Sequence, residues 1–232
     1  ARHVPIITYE EMLELAANGA KVLHLRCVEY ARRSGTPLRV RSSFTDSPGT
    51  LVTTAEELEG AAVEAPIISG VAHDLGEAKI TIAGVRDEPG RAALVFEILA
   101  TADINIDMIV QNVSAAGITD ITFTLPMSDG DKAMAVLRGN KNEIGYETVT
   151  YDDQVAKVSL VGAAMRSHPG VSATTFRALA DAGINVEMIS TSEIRISVVV
   201  RAEDVTRAVQ AIHTAFGLDA DGEAVVYAGT GR

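Results

Sequence analysis

Two stretches of this 232-residue chain repeat one another, and that repeat limits the possible folds more than any other feature. Lys79-Ile80-Thr81-Ile82-Ala83-Gly84 matches Lys157-Val158-Ser159-Leu160-Val161-Gly162. Each is an alternating strand that ends in glycine. Each is followed by a short loop to Pro-Gly, Pro89-Gly90 in the first copy and Pro169-Gly170 in the second, and then by a helix. From that point the copies keep a constant offset of 80 residues. Phe96, Leu99 and Ala102 match Phe176, Leu179 and Ala182, spaced to share one helix face that can cover a sheet. Ile104-Asn105-Ile106-Asp107-Met108-Ile109 then matches Ile184-Asn185-Val186-Glu187-Met188-Ile189.

The pattern continues alike in both copies. Two strands are expected at 106–113 and 119–125, turning at Ala116-Gly117, and at 186–191 and 194–200 in the second copy. Amphipathic helices follow at 130–137 and 203–216, and closing strands at 147–150 and 224–228. The order is βαββαβ twice, which gives a four-stranded antiparallel sheet with both helices on one face, the ferredoxin-like arrangement of an α+β protein. One strand, Ile67 to Ala72, is left over before the first copy. Its backbone groups need a partner, and the edge of one repeat's sheet, the second's included, can supply it.

Residues 1–60 stand apart from the repeat. Tyr9 to Asn18 reads as a helix, with Thr8 and Glu11 spaced for a capping box, an apolar face of Met12, Leu13, Leu15 and Ala16, and Gly19 as the stop. A second helix is expected over Lys21 to Arg33 and a strand over Leu38 to Ser42. This piece is expected to be too small to own a core. Residues 45–64, with Asp46-Ser47-Pro48-Gly49, read as a linker. The expected divisions are therefore 1–60, 64–153 and 154–232.

Composition excludes several functions. The net charge of -11 repels phosphate backbones, so no nucleic acid is expected as a partner. The basic cluster Arg26, Arg32, Arg33, Arg39 and Arg41 is broken by apolar residues and reads as a solvated or interface face. One cysteine, Cys27, allows no internal disulfide, fits a reducing cytoplasm, and is expected to be a small buried apolar residue. No stretch approaches the length needed to span a membrane, and Ala1-Arg2-His3-Val4-Pro5 does not start a secretory signal. His168 has no partner at metal-ligand spacing, so no metal site is expected. Met108 and Met188 read as core or module-interface residues, and Gly229-Thr230-Gly231 lacks the lysine and helix of a phosphate loop.

At this point the motifs become recognisable together. The βαββαβ order with a Pro-Gly helix entry and an Asn-Ile-Asp or Asn-Val-Glu strand start resembles the ACT domain. The tandem pair, with Gln111-Asn112-Val113-Ser114 in one copy and Ser190 to Ser197 in the other, resembles the aspartate kinases. So do Ser167-His168-Pro169-Gly170-Val171 and Val226-Tyr227-Ala228-Gly229-Thr230-Gly231-Arg232, and the likeness is to the actinobacterial lysine- and threonine-sensitive type. Glu10 to Ala16 and Val40-Arg41-Ser42-Ser43-Phe44 look like the end of that family's catalytic, amino-acid-kinase domain. The family's Lys-Phe-Gly-Gly-Thr-Ser motif is missing, and Lys21-Val22-Leu23-His24-Leu25-Arg26 has Leu25 where many relatives have proline. The resemblance therefore implies a cytoplasmic regulatory part with no catalytic residue, ATP and magnesium belonging to the full kinase. It is expected to be a separately made subunit or a cut-down kinase, its start inside the kinase domain favouring the second. Threonine and/or lysine are the implied effectors. The implied partners are a second copy, paired through the ACT modules, and the full-length catalytic alpha subunit in a heterotetramer.

The helix entry after each Pro-Gly suits an effector's carboxylate, because the first turn leaves N–H groups unpaired and the helix dipole adds positive charge. Asp87, Asp107 or Glu193 can receive the ammonium, and Gln111 or Asn105 a hydroxyl. Carried over by motif, the implied effector residues are Asp87, Gly90, Ala92, Asn105, Ile106, Asp107 and Gln111 in the first copy. In the second they are Ser172, Asn185, Val186, Ser192 and Glu193. Plainer readings stay open: Asn105 and Asn185 as turn residues, Pro-Gly as simple helix starts, 190–197 as an edge strand. Two rival functions also stay open: a kinase fragment using Lys21, His24 and Arg26, and a dimerisation module that binds nothing.

Overall fold

Thr8 and Glu11 close a capping box at the head of the first helix in the computed structural model, which describes residues 1–60, 68–113, 117–163, 165 and 168–219. Strand β1 (Ile6–Thr8) runs directly into α1 (Tyr9–Ala17). Asn18 ends the helix, its side-chain amide donating to the Glu14 carbonyl at 2.7 Å. Helix α2 (Leu25–Ser34) starts four residues later than Lys21, because His24 Nδ1 accepts from the Arg26 N–H and caps it there. Strands β2 (Leu38–Val40) and β3 (Thr50–Thr53) and helix α3 (Ala55–Gly60) follow.

Two expectations are corrected here. The stretch read as linker contains β3 and α3, and β3 is the middle strand of a three-stranded sheet of order β1-β3-β2. The segment also owns a core: Ile7, Tyr9, Met12, Val28, Ala31 and Val52 bury together. The parallel β1–β3 pair makes this possible by setting Ile7 opposite Val52, so that one buried apolar residue from each strand joins the helices' core.

By contact the chain forms two units. One comprises the described residues of Ala1–His73, Val158–Val200 and Asp204 onward, and the other Asp74–Lys157 with Arg201–Glu203.

The first repeat is wholly in the second of these. Its elements are β5 (Glu77–Arg86), α4 (Arg91–Thr101), β6 (Ile109–Val113), β7 (Ile118–Pro126), α5 (Gly130–Gly139), the short α6 (Lys141–Ile144) and β8 (Thr148–Asp152). The strands order β6-β7-β5-β8 with antiparallel neighbours, the expected ferredoxin-like sheet. Alternate residues of the central strands, Ala78, Ile80 and Ile82 with Ile121, Phe123 and Leu125, meet Val95, Leu99, Ala133 and Leu137 of the helices. Phe96 packs edge-on against Phe123 at 5.9 Å.

The second repeat supplies β9 (Val155–Val161), α7 (Val171–Asp181), β10 (Met188–Thr191), β11 (Arg195–Arg201) and α8 (Val205–Ala215). Strand β4 (Gly70–Asp74), the leftover strand before the first repeat, completes its sheet in the order β10-β11-β9-β4. It therefore takes the place beside β9 that β8 takes beside β5, and the first repeat is inserted between two neighbouring strands of the second. The closing strand expected at 224–228, the motif at 226–232, Ile67, Ser114, Ala116 and Ser167 lie outside the described residues.

Helix α1 lies against this second sheet. Ser159 Oγ on β9 donates to Asn18 Oδ1 at 3.0 Å and shares a hydrogen bond with Ser197 Oγ at 2.8 Å. Arg195 pairs with Glu14 at 3.0 Å. Accordingly β9 is buried at every one of its positions, whereas β5 alternates.

Candidate effector site

Both Pro-Gly turns place glycine as the N-cap in the left-handed region, Gly90 at φ 93° and Gly170 at φ 105°. A side chain there would meet no atom within 4 Å, so backbone conformation, not crowding, calls for glycine. Each glycine carbonyl accepts the first helical bond, from Leu94 at 2.9 Å and from Thr174 at 2.8 Å. The open space beside each cap leaves the positive end of an 11-residue helix accessible.

In the second repeat this helix entry forms one wall of a cavity of about 610 Å³. His168, Pro169, Gly170 and Ser172 line it from the turn and the start of α7, and Thr191, Ser192, Glu193 and Ile196 from β10, β11 and the turn between them. Ser192 is fixed by its N–H donating to the Arg195 carbonyl at 2.8 Å. The cavity thus offers a helix N-terminus, three hydroxyl groups and a carboxylate. That set can hold a small zwitterion, with its carboxylate at the helix and its ammonium at the oxygens. Of the second-copy residues named from the sequence, Ser172, Ser192 and Glu193 come together here. Asn185 is exposed and Val186 half-buried, both in the segment between α7 and β10, and neither lines this cavity. Thr191 and His168 were missed as site residues. Their adjacency to Ser192 and Pro169 was the available signal.

In the first repeat, Asp87 follows β5 and its N–H donates to the Gly117 carbonyl at 3.0 Å. Gly90 caps α4, and Ala92 packs against the core from its first turn. Asn105 is exposed, Ile106 packs against the core, and Gln111 is exposed on β6, opposite Ile121. Asp107 holds the strand entry by donating its N–H to the Thr124 carbonyl at 3.0 Å. Its carboxylate, named as a possible acceptor for an effector's ammonium, is engaged by Lys157. The Lys157 side chain is only 4% exposed and also reaches Glu77 Oε1 at 2.9 Å. Burial works against the Lys157 charge, but the hydrogen bonds it donates to the Asp107 and Glu77 carboxylates outweigh it and hold the amine above its usual range. Glu77 Oε2 is buried with no partner among the described atoms.

The remaining nominated groups separate clearly. Met108 and Met188 are buried. Cys27 is exposed, correcting the expectation of a buried thiol: α2 turns Val28 and Ala31 inward and leaves Cys27 outside. The basic cluster is structural in part, Arg39 donating to the Pro48 carbonyl, Arg41 to that of Ser47, and Arg32 pairing with Glu10. Among the described residues, no three His, Cys, Asp or Glu side chains are arranged to hold a metal, and no helix is long and apolar enough to cross a membrane.

Comparison with known proteins matches residues 80–140 and 158–216 to the ACT domain family. An aspartokinase of Mycolicibacterium smegmatis is 57% identical over 234 residues, covering 100% of this chain and 55% of that protein. The chain spans about half the length of the curated relatives it matches. The ligand-free regulatory subunit of aspartate kinase from Thermus thermophilus is 42% identical with a TM-score of 0.62, over 65% of this chain and 99% of that one. Aspartokinase III of E. coli, in complex with lysine and aspartate in a T-state, is 26% identical with a TM-score of 0.71, over 93% of this chain and 46% of that one.

Proposed function

Because the chain belongs to the aspartokinase family and carries its ACT-domain regulatory region, we propose that it senses free threonine and/or lysine and feeds their abundance back on aspartate phosphorylation. The observation that carries this reading is the second-repeat cavity, where a glycine-capped helix entry faces Ser192 and Glu193. The first-repeat residues Asp87, Gly90, Ala92, Asn105, Ile106, Asp107 and Gln111 form the companion site. There Asp107 is held by Lys157, so the effector's ammonium falls to Asp87 or to backbone carbonyls. The lysine in the E. coli relative is consistent with an amino acid as the ligand class.

The edge strands support pairing of two chains through the repeats. Ile109 on β6 is 51% exposed and Ile189, its counterpart on β10, 45% exposed, and unpaired strand edges of this kind invite a partner. ATP and magnesium chemistry then belongs to a cytoplasmic catalytic partner. Here His24 caps α2 through the Arg26 N–H, which favours a structural role for that motif over phosphoryl transfer. An effector acts by binding one packing of the modules better than another, and a coupling of about 1–3 kcal/mol changes activity roughly 5- to 150-fold. Titration calorimetry of the chain with threonine and with lysine tests the reading. Saturable heat with at least one is expected. No heat from either, at concentrations where the chain is dimeric, would refute it.

A further inference from the structure

Glu11 reaches from outside the second repeat to Ala163, two residues from Met165 in the wall of the second-repeat cavity. Its side chain is buried and both carboxylate oxygens are fully used. Oε2 accepts from the Thr8 N–H at 3.1 Å and from Thr8 Oγ1 at 2.8 Å, holding the first turn of α1. Oε1 accepts from Ser69 Oγ at 2.5 Å and from the Ala163 N–H at 2.8 Å. Ser69 is itself tied to the end of β9, its N–H donating to the Val161 carbonyl at 2.8 Å. Ala163 follows β9 by two residues, and Met165 and His168 further along line the cavity. That segment is joined by backbone bonds, Met165 N–H to the Gly162 carbonyl and His168 N–H to the Met165 carbonyl, both at 3.3 Å.

Two more ties run along the same face of α1, three and seven residues on. Glu14 pairs with Arg195, which precedes the cavity residue Ile196, and Asn18 bonds Ser159. A buried carboxylate with four donors has no graded way to yield, because a shift of the wall strands either its own oxygens or the Ala163 N–H without a partner.

We propose that Glu11 is a positioning residue for the second-repeat effector site, and that α1 is the element whose docking is coupled to its occupancy. This rests on the reading of the cavity as an amino-acid site. Effector that fixes the wall fixes Oε1 of Glu11 and hence the head of α1. By linkage, a docked α1 raises effector affinity in return.

Amide hydrogen exchange on the intact chain, with and without saturating threonine and lysine, tests this without any substitution. Slowed exchange in the peptide spanning 168–173 reports occupancy of the cavity. The expected companion is slower exchange, by roughly fivefold or more, across 12–17 in α1. Glu11→Gln puts an amide NH₂ where only an acceptor fits, so it is expected to weaken binding at this cavity about tenfold and to uncouple the α1 response. If Glu11→Gln does not fold, Ser69→Ala removes one donor on the cavity side alone and is expected to shift affinity in the same direction. Protection at 168–173 with α1 unchanged in the wild type overturns the coupling while leaving the effector reading intact. Absence of protection at 168–173 with either amino acid overturns the effector reading, and the inference with it.

Discussion

The two repeats share a strand pattern but not a neighbourhood. In β5, Lys79 and Thr81 point away from the core and keep part of their surface in water, while Ala78, Ile80 and Ile82 are buried. Their counterparts in β9, Lys157 and Ser159, are buried about as deeply as Val158 between them. The same ladder position holds a hydroxyl pair in both sheets: Thr81 with Thr122 at 3.0 Å, and Ser159 with Ser197 at 2.8 Å. Only the second pair is capped by Asn18 of α1. A duplicated sequence thus gives one sheet with a solvated back and one whose back is a polar interface. The difference lies in what is laid against the strand, not in the strand's own periodicity.

The matched lysines give the sharpest test. Lys157→Met leaves the buried Glu77 and the Asp107 carboxylate without their cation, and breaking a buried pair from one side costs about 3–5 kcal/mol. Lys79 lies 4.0 Å from Asp152, which is 31% exposed, so Lys79→Met is expected to cost about 1 kcal/mol or less. Denaturant unfolding of both variants measures the contrast, and equal losses would end it. The pH dependence has a definite sign. Lys157 is held above its ordinary 10.5, so its contribution is fully present below that pH and is lost as pH rises through the higher folded value. Burial also raises Tyr146 and Tyr151 of the same unit, so wild type minus Lys157→Met at alkaline pH isolates the lysine.

The hydroxyl pairs come next. Ser159→Ala strands the Asn18 and Ser197 side chains in a buried place, for an expected loss of about 1–3 kcal/mol. Thr81→Val keeps the shape and leaves Thr122 able to reach water, for a loss of about 0.5 kcal/mol. Combining Ser159→Ala with Asn18→Ala should give less than the sum of the single losses, because the two share one bond. Strict additivity would show that α1 does not rest on this face.

Much of this was legible from the chain alone, for a physical reason. Helix faces such as Phe96, Leu99 and Ala102 follow from local periodicity, and the strands of each repeat alternate visibly. Strand pairing is a long-range choice. That β4 would lie beside β9, across an intervening repeat, was open in the sequence because its backbone could be satisfied at either sheet. The N-terminal core was missed because β1 and β3 are three and four residues long and flanked by Pro5 and by Pro48-Gly49. In the site, Ser172, Ser192 and Glu193 converge through adjacency to the turn and the strand pair. The engagement of Asp107 by Lys157, fifty residues away, carries no local signal, and neither does the reach of Glu11 to Ala163.

A small and salt-sensitive effect is expected on the solvated back of the first sheet, where Arg201 pairs with Asp152 at 2.6 Å. Burial pushes the Asp152 carboxyl up, but the Gln154 N–H and Arg201 together pull it below its ordinary 3.8. Its contribution is therefore present above pH 3.8 and is lost as pH falls through the lower folded value. Arg201 is 37% exposed, so water screens the pair, and Arg201→Gln is expected to cost about 1 kcal/mol or less at neutral pH. Added salt should shrink that difference toward zero, whereas the Lys157 loss should persist, because mobile ions reach an open face and not a buried amine. If salt erased both effects alike, the two sheet backs would be equally solvated, and the contrast between the repeats would have to be sought in their loops instead.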